Sequence, residues 1–169
     1  MYSIDMKELK LEEWNENPFK VIGKDWMLIT AEKDGRTNMM TASWGGFGIM
    51  WGKNVATVYI RPSRFTKSFI DSGKKFSICV MDGKYREQLN YCGSKSGRDE
   101  DKVKACGFSV EKGEGTVWFK ESRLVLICKK LYSQPMNATA LNDEKLRNAM
   151  WKDDVHELYI AEIEKAFIQ

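Results

Sequence analysis

The chain has 169 residues, of which 43% are hydrophobic and 30% charged, and its formal net charge is +3. This length suits one domain with a substantial core, so we expect a single domain over residues 1–169. The mild charge, with no basic stripe interleaved with aromatic residues, argues against nucleic-acid binding. No apolar run is long enough to span a bilayer, and residues 1–7 lack a signal-peptide pattern, so we expect a cytoplasmic protein without a membrane partner.

Two strands joined by a tight turn are predicted near the start of the chain. Residues 26–31 form the first strand, residues 33–36 the hairpin turn, and the next segment a strand that returns to Trp44. The returning strand carries small polar residues, including Asn38 and Thr41, where a strand made only for a core would carry larger apolar groups. Small side chains let a flat ligand approach the backbone. The alternative is an edge strand whose polar residues face solvent.

The glycine-rich segment 45–52 is predicted to be a loop. Its aromatic residues next to glycines are typical of a mobile lid that stacks on a flat ring. They are equally typical of a dimer contact, because aromatic residues and Met are enriched at the centres of interfaces.

A strand over residues 55–61 ends at Pro62 and turns directly into a helix that runs through Phe69 and Ile70. Ser63 is the predicted N-cap of this helix. The N-terminus of a helix carries unpaired backbone N–H groups and partial positive charge, and here it adjoins two arginines and two hydroxyl side chains. This combination is typical of a site for a phosphate monoester. The alternative is an ordinary capped helix with solvated basic residues.

The remaining predicted elements alternate between strands and short helices. Asp99 is the expected N-cap of the second of these helices, with Glu100 and Lys104 as an i,i+4 pair. Because strands outnumber helices, we expect a mainly β fold, a closed antiparallel barrel with peripheral helices. The elements are a strand at 75–81, a helix at 86–91, a loop at 94–98, a helix at 103–106, a strand at 122–131, a helix at 143–151 and a strand at 156–167.

The four cysteines and the single histidine give no metal-ligand spacing, so we expect no metal site. Cys79 and Cys128 lie in apolar strand patterns and are predicted to be small buried hydrophobic residues. Cys92 is either a reactive thiol beside a ligand site or a reduced structural cysteine. For His156 the alternatives are a structural role and acid–base catalysis. No residue is assigned as catalytic, because no hydrolytic triad or carboxylate pair is present.

Three segments in this order resemble the flavin reductase-like proteins with an FMN-binding split β-barrel, and most closely their flavoredoxin-type branch. They are NMMTASW at 38–44, RPSRFT at 61–66 and SGRDEDK at 96–102, and residues 156–163 resemble the last barrel strand of that family. The resemblance covers residues 20–168. It implies a Greek-key-like split barrel, which periodicity alone does not show.

The resemblance implies FMN as the cofactor and assigns its contacts to three groups of residues. The FMN phosphate is expected at Arg61, Ser63, Arg64 and Thr66, and the alternative for one of the two arginines is that it points to solvent. The edge of the flavin ring is expected at Asn38, Met40, Thr41, Ala42, Ser43 and Trp44. Ser96, Gly97, Arg98 and Lys102 match a segment that approaches the cofactor. For Arg98 the alternative is a salt bridge with Asp99 or Asp101.

The resemblance also implies an activity and a quaternary structure. We expect a homodimeric oxidoreductase, a flavin reductase in which NAD(P)H passes hydride to flavin N5 and the electrons go on to an acceptor. One alternative is an electron-transfer flavoprotein like flavoredoxin, which takes electrons from a redox protein and has no NAD(P)H activity of its own. The other is a flavin-binding module without redox turnover.

Overall fold

The computed structural model describes residues 6–151 and 153–169. Residues 1–5, which carry most of the signal-peptide argument, lie outside the described residues. Among those described, no helix is long and apolar enough to cross a membrane.

Ten strands and five short helices make up the described chain. The strands are β1 Lys7–Glu8, β2 Met27–Lys33, β3 Arg36–Ala42, β4 Gly46–Met50, β5 Lys53–Ile60, β6 Lys75–Met81, β7 Val110–Gly113, β8 Thr116–Phe119, β9 Ser122–Pro135 and β10 Glu157–Ile168. The helices are α1 Pro18–Lys20, α2 Thr66–Ser72, α3 Arg86–Ser94, α4 Lys102–Cys106 and α5 Glu144–Met150. A π-helical turn, Val21–Asp25, continues α1.

The strands form one antiparallel sheet in the order β3-β2-β6-β9-β10-β5-β4, with β1 added to the end of β10. The hairpin β7–β8 is a separate two-stranded sheet. The longest ladder joins β9 to β10 and runs from Glu157 opposite Pro135 to Ile168 opposite Leu124. Two register shifts interrupt it, and such bulges bend and twist the strands that carry them.

The mainly β prediction is confirmed, but the predicted closure of the barrel is wrong at the level of hydrogen bonds. Within the described ranges, β3 and β4 are the two ends of the ladder and do not pair with each other. The sheet curls instead, so that Met40 on β3 and Val58 on β5 share one core. Alternating polarity reports which side chains are buried and does not report which edges pair, so the sequence pattern could not distinguish the two arrangements.

Both faces of the central strands are buried, which explains their nearly continuous apolar sequences. Along β2, Met27 and Ile29 point to the main core, whereas Leu28 joins a second cluster on the opposite face. Helix α3 contributes Leu89 to that second cluster, and Phe119 of β8 joins it. The helices α3 and α4 are therefore fixed against the outer face of the sheet, beside β3.

Helix α2 is fastened to the last strand by a partly buried ionic network. The Tyr159 hydroxyl donates to Asp71 Oδ1 at 2.6 Å, and Lys67 Nζ lies 2.7 Å from Asp71 Oδ2 and 2.8 Å from Glu157 Oε2. Because α2 directly follows the Arg61–Phe65 turn, this network also fixes the position of that turn.

The hairpin turns explain one confirmed and one wrong prediction. Asp34 and Gly35 have φ values of 51° and 75°, as a two-residue type I′ turn requires, and the predicted hairpin is confirmed. The prediction of a loop after Trp44 is wrong, because Gly46–Met50 forms strand β4, which pairs along its length with β5. Trp51 and Gly52, both at positive φ, make the connecting turn.

The two predicted N-caps are wrong, although the helices themselves are present. Helix α2 begins at Thr66 with no side-chain cap, and the Ser63 hydroxyl donates instead to the Asp154 carboxylate. Helix α4 is capped by Asp101, whose side chain accepts from the Lys104 backbone N–H, and not by Asp99. Glu100 precedes this helix and accepts a hydrogen bond from a tyrosine hydroxyl, so the expected i,i+4 pair does not form.

Candidate functional site

Three adjoining cavities lie beside the end of β3. A small cavity of about 120 Å³, which we call the basic cavity, lies between the Ser63–Thr66 turn and the loop that joins α3 to α4. A central cavity of about 390 Å³ lies along Met40–Trp44, and an apolar cavity of about 540 Å³ lies between α1 and β4.

The cavities form one continuous cleft, because neighbouring cavities share residues. Met40, Ser63 and Arg64 line both the basic and the central cavity. Trp44 and His156 line both the central and the apolar cavity. The cleft therefore passes from a polar, cationic end to an apolar, aromatic end.

Thirteen of the fourteen predicted site residues line this cleft. Around the central cavity are Met40, Thr41, Ala42, Ser43, Trp44, Arg61, Ser63 and Arg64. Around the basic cavity are Thr66, Ser96, Gly97, Arg98 and Lys102, together again with Met40, Ser63 and Arg64.

Asn38 is the exception, because it lies behind the basic cavity. Its side chain is 2% exposed and donates from Nδ2 to Thr66 Oγ1 at 3.0 Å. It also packs against Gly97, where a Cβ atom would come within 2.3 Å of Asn38 Oδ1. Asn38 thus orients two residues of the basic cavity but does not itself line the cavity.

Besides His156, two residues that line the central cavity were not predicted from the sequence. Tyr59 lines the central cavity together with Arg61, two residues later in the chain. This i,i+2 spacing in a strand was a signal that could have found Tyr59. Gly93 was not detectable, because its place at the cavity depends on the packing of α3 against Thr41, whose hydroxyl donates to the Leu89 carbonyl at 2.5 Å.

Three cationic side chains of the cleft are held by backbone carbonyls. Arg64 Nη1 donates to the Gly93 carbonyl at 3.0 Å, and Arg98 Nη1 donates to the Ser63 carbonyl at 3.1 Å. Lys102 Nζ donates to the carbonyls of Cys92 and Lys95 at 3.1 and 3.2 Å.

None of these cations has a carboxylate partner within 4 Å in the described part of the chain, and the same holds for Arg61. The alternative interpretation of Arg98 as half of a salt bridge with Asp99 or Asp101 is therefore wrong. The nearest acidic contact in the cleft is the hydrogen bond from Ser63 to Asp154.

Burial makes the positive charges of Lys102 and Arg64 costly in the absence of an anion. It lowers the pKa of Lys102 to about 8. Burial, and then the neighbouring charge of Arg61, also lower the pKa of Arg64. An anion bound between these groups would relieve both effects, because an opposite charge favours the protonated forms.

His156 is a neutral side chain at the boundary between the central and apolar cavities. Burial, and then the charge of Arg61, lower its pKa. The indole N–H of Trp151 donates to Nδ1 at 3.0 Å, and Arg61 Nε donates to Nε2 at 3.4 Å. A neutral imidazole has a single acceptor nitrogen, so these two donors compete for the ring. His156 thus links Trp151 to Arg61 at the boundary of the two cavities.

The remaining sequence predictions concern two buried cysteines and metal binding. Cys79 and Cys128 are fully buried, as predicted, and burial raises the pKa of both thiols. Among the described residues, no group of three or more His, Cys, Asp or Glu side chains is arranged to hold a metal ion.

Comparison with known proteins relates this fold and cleft to a family. The model of the flavin reductase like domain matches residues 21–169. A comparison with curated proteins finds no match.

Three similar solved structures illustrate the fold. The flavoredoxin from Methanosarcina acetivorans is 22% identical at a TM-score of 0.70, over 86% of this chain and 68% of that chain. An FMN-binding domain of a flavin reductases-like enzyme from Shewanella baltica OS155 is 19% identical at a TM-score of 0.72, over 99% and 79%. A protein from Shewanella frigidimarina NCIMB 400, described as a flavin reductase with a split barrel domain, is 19% identical at a TM-score of 0.69, over 95% and 75%. At these identities the likeness shows a shared fold.

Proposed function

This chain belongs to the flavin reductase like family, and from that premise we propose that it is an FMN-binding oxidoreductase. The observation that carries the proposal is the group of four cations around the basic and central cavities that lack carboxylate partners among the described residues: Arg61, Arg64, Arg98 and Lys102. Lys102 is buried and Arg64 half-buried, both bonded to backbone carbonyls, and cations in such surroundings favour a bound anion. A cavity of about 120 Å³ at the closed end of the cleft suits the phosphate of FMN better than a larger group.

The phosphate would be bound in the basic cavity. Arg64 and Arg98 approach it from opposite sides, and each guanidinium can direct two N–H groups at phosphate oxygens. Lys102 adds a third charge, and the hydroxyls of Thr66 and Ser96 complete the donors. Arg61 lines the central cavity instead, so of the two arginines in the RPSRFT segment, Arg64 is the better candidate for the phosphate.

The flavin ring would lie in the central cavity, against the backbone of β3. That strand pairs only with β2, so one side of its backbone has no strand partner in the described sheet. The N–H and C=O groups of Met40–Trp44 on this side are suited to bond a flat heterocyclic edge. The free edge of β3 is thus open to a cofactor, whereas in a closed barrel another strand would pair with this edge.

The apolar cavity adjoins the proposed ring site and would receive the electron donor or acceptor. Bound FMN supplies the hydride-accepting and electron-transferring chemistry, for which we propose NAD(P)H as the donor. The chain itself would bind and orient the ring, and Trp44 and Phe47 line the wall of the apolar cavity. His156 lies at the boundary of the two cavities and supports Trp44, with ring centroids 4.9 Å apart.

A homodimer is the second part of the proposal. Exposed apolar side chains lie on the β4–β5 hairpin and on the later part of β9, where the rings of Trp51 and Tyr132 are 6.5 Å apart: Ile49, Met50, Trp51, Leu131 and Tyr132. Such a patch favours burial against another chain. The single domain over the whole chain and the cytoplasmic location stay predictions.

Titration with FMN and with riboflavin tests the cofactor assignment. Riboflavin lacks the phosphate, and a hydrogen bond to a charged group contributes about 1.5–3 kcal/mol. We therefore expect FMN to bind at least about tenfold more tightly than riboflavin. Equal affinities would reject the basic cavity as a phosphate site.

Steady-state oxidation of NADH and NADPH with excess FMN then separates the possible functions. Turnover supports the reductase. Bound FMN without turnover, but with reduction by a redox protein or dithionite, favours an electron-transfer protein like flavoredoxin. Bound flavin that is reduced only after it leaves the protein favours a binding module without redox turnover.

A further inference from the structure

Two cysteines outside the cleft are in direct contact. Cys92 on α3 and Cys106 at the end of α4 have their sulfur atoms 3.5 Å apart, and neither is in a disulfide. Cys92 is fully buried, whereas Cys106 is partly exposed at the surface. The pair therefore consists of one thiol that a small solute can reach and one that only its neighbour can reach.

The surroundings of the pair shift the pKa values of the two thiols in opposite directions. The hydrogen bond from Cys92 lowers the pKa of Cys106, and the positive charge of Lys102 acts in the same direction. The same hydrogen bond, together with burial, raises the pKa of Cys92. The accessible sulfur is thus the better nucleophile, and the buried sulfur holds the proton.

We propose that Cys92 and Cys106 form a redox site that reduces a small hydroperoxide and closes an intramolecular disulfide. The Cys106 thiolate attacks the terminal peroxide oxygen, so that an S–O bond forms, the O–O bond breaks, and hydroxide leaves from hydrogen peroxide or an alkoxide from an organic hydroperoxide. The Cys92 sulfur then attacks the sulfenic sulfur of Cys106, an S–S bond forms, and water leaves with the proton of the Cys92 thiol. Two thiols and one hydrogen peroxide give one disulfide and two waters, and an external dithiol restores the thiols.

The geometry permits the second step with little movement. A disulfide has its sulfur atoms about 2.05 Å apart, so the contact has to shorten by about 1.5 Å. Helix α4 has only five residues, and Gly107 follows it at φ 68°, where the chain bends most easily. The approach of the sulfurs therefore needs a small shift of one short helix and no rearrangement of the sheet.

A peptide map of the wild-type protein tests the proposal directly and does not depend on flavin binding. The protein is treated with stoichiometric hydrogen peroxide, its remaining thiols are alkylated, and it is digested with trypsin without reduction. Cleavage at Arg86, Lys95, Lys104 and Lys112 yields peptides 87–95 and 105–112, each with one cysteine. We expect these two peptides joined by a bond that dithiothreitol breaks, with Cys79 and Cys128 alkylated only after denaturation.

Two outcomes of the map would overturn the proposal: both peptides alkylated after peroxide treatment, or Cys106 oxidised to sulfinic acid while Cys92 remains a free thiol. Substitutions then test the division of roles. In Cys92→Ser, the sulfenic acid of Cys106 should persist and react with dimedone. In Cys106→Ser, dimedone should not label Cys92. The reverse labelling would contradict the assignment of Cys106 as the attacking sulfur, and if either variant fails to fold, the wild-type map still decides.

Discussion

The substitution Gly97→Ala probes the wall of the basic cavity most directly. A Cβ atom at this position would lie 2.3 Å from Oδ1, 2.8 Å from Cγ and 3.0 Å from Nδ2 of Asn38. Asn38 has no route to solvent, because its side chain is 2% exposed and its amide is bonded to Thr66. Either the Asn38 side chain or the loop that carries Gly97 has to move.

The expected cost follows from these two possibilities. Overpacking a buried site costs about 1–3 kcal/mol. Loss of the hydrogen bond between Asn38 and Thr66 would add about 0.5–1.5 kcal/mol. If the loop moves instead, Arg98 and Lys102 shift away from the cavity and FMN binding weakens by about tenfold for each 1.4 kcal/mol lost. We expect the loss in unfolding free energy and the loss in FMN binding free energy to add up to about 1–3 kcal/mol.

Urea unfolding of the apo protein and fluorescence titration with FMN measure the two losses. Gly83→Ala is the matched control, because no atom lies within 4 Å of its Cβ position. The double variant Asn38→Ala with Gly97→Ala removes the obstructing atoms and should recover at least about 1 kcal/mol relative to additive behaviour. Gly97→Ala values equal to those of Gly83→Ala, or strict additivity in the double variant, would refute the reasoning.

Three other predictions concern charge. Arg64→Ala should weaken FMN binding by about 1.5–3 kcal/mol in a fluorescence titration, and an unchanged dissociation constant would reject its phosphate contact. Because the pKa of Lys102 is about 8, FMN affinity should fall as the pH rises through that value. This fall should vanish in Lys102→Met. It should persist in the control Lys104→Met, which removes an exposed lysine outside the cleft. Burial raises the pKa of Asp71, but its hydrogen bonds from α2 and β10 outweigh burial and lower it. Its stabilising contribution is therefore present at neutral pH and lost as the pH falls through the folded-state pKa, so Asp71→Asn should flatten the acid side of a urea-unfolding series.

Local sequence signals predicted the elements whose conformation is decided locally. The Asp34-Gly35 turn is an example, because positive φ at both residues is a property of that dipeptide. The strand over residues 75–81 has the predicted bounds, since its apolar run is buried on both faces. The predicted site residues belong to motifs that are contiguous in sequence, and all but Asn38 line the cleft, whereas their contacts with a cofactor stay predictions.

Elements decided by distant contacts were predicted less well. Ser63 resembles an N-cap, but its hydroxyl bonds Asp154, which lies 91 residues further along the chain. The glycine-rich strand β4 has too few side chains for a pattern, and its pairing with β5 defines it. The contact between Cys92 and Cys106 depends on the packing of two helices, which no local signal reports.

The backbone carbonyls at the end of α3 hold two cations of the basic cavity without neutralising their charge. A helix C-terminus carries partial negative charge on its unpaired carbonyls, which is enough to hold a cation but smaller than the charge of a carboxylate. Lys102 is bonded to the carbonyls of Cys92 and Lys95, and Arg64 to that of Gly93. If carboxylates held these cations, a phosphate would have to compete with them, and each broken ion pair would leave a buried negative charge beside the bound anion. Carbonyls leave the full positive charge available, and because burial lowers the pKa of Lys102 to about 8, an anion in this cavity would stabilise the charged form.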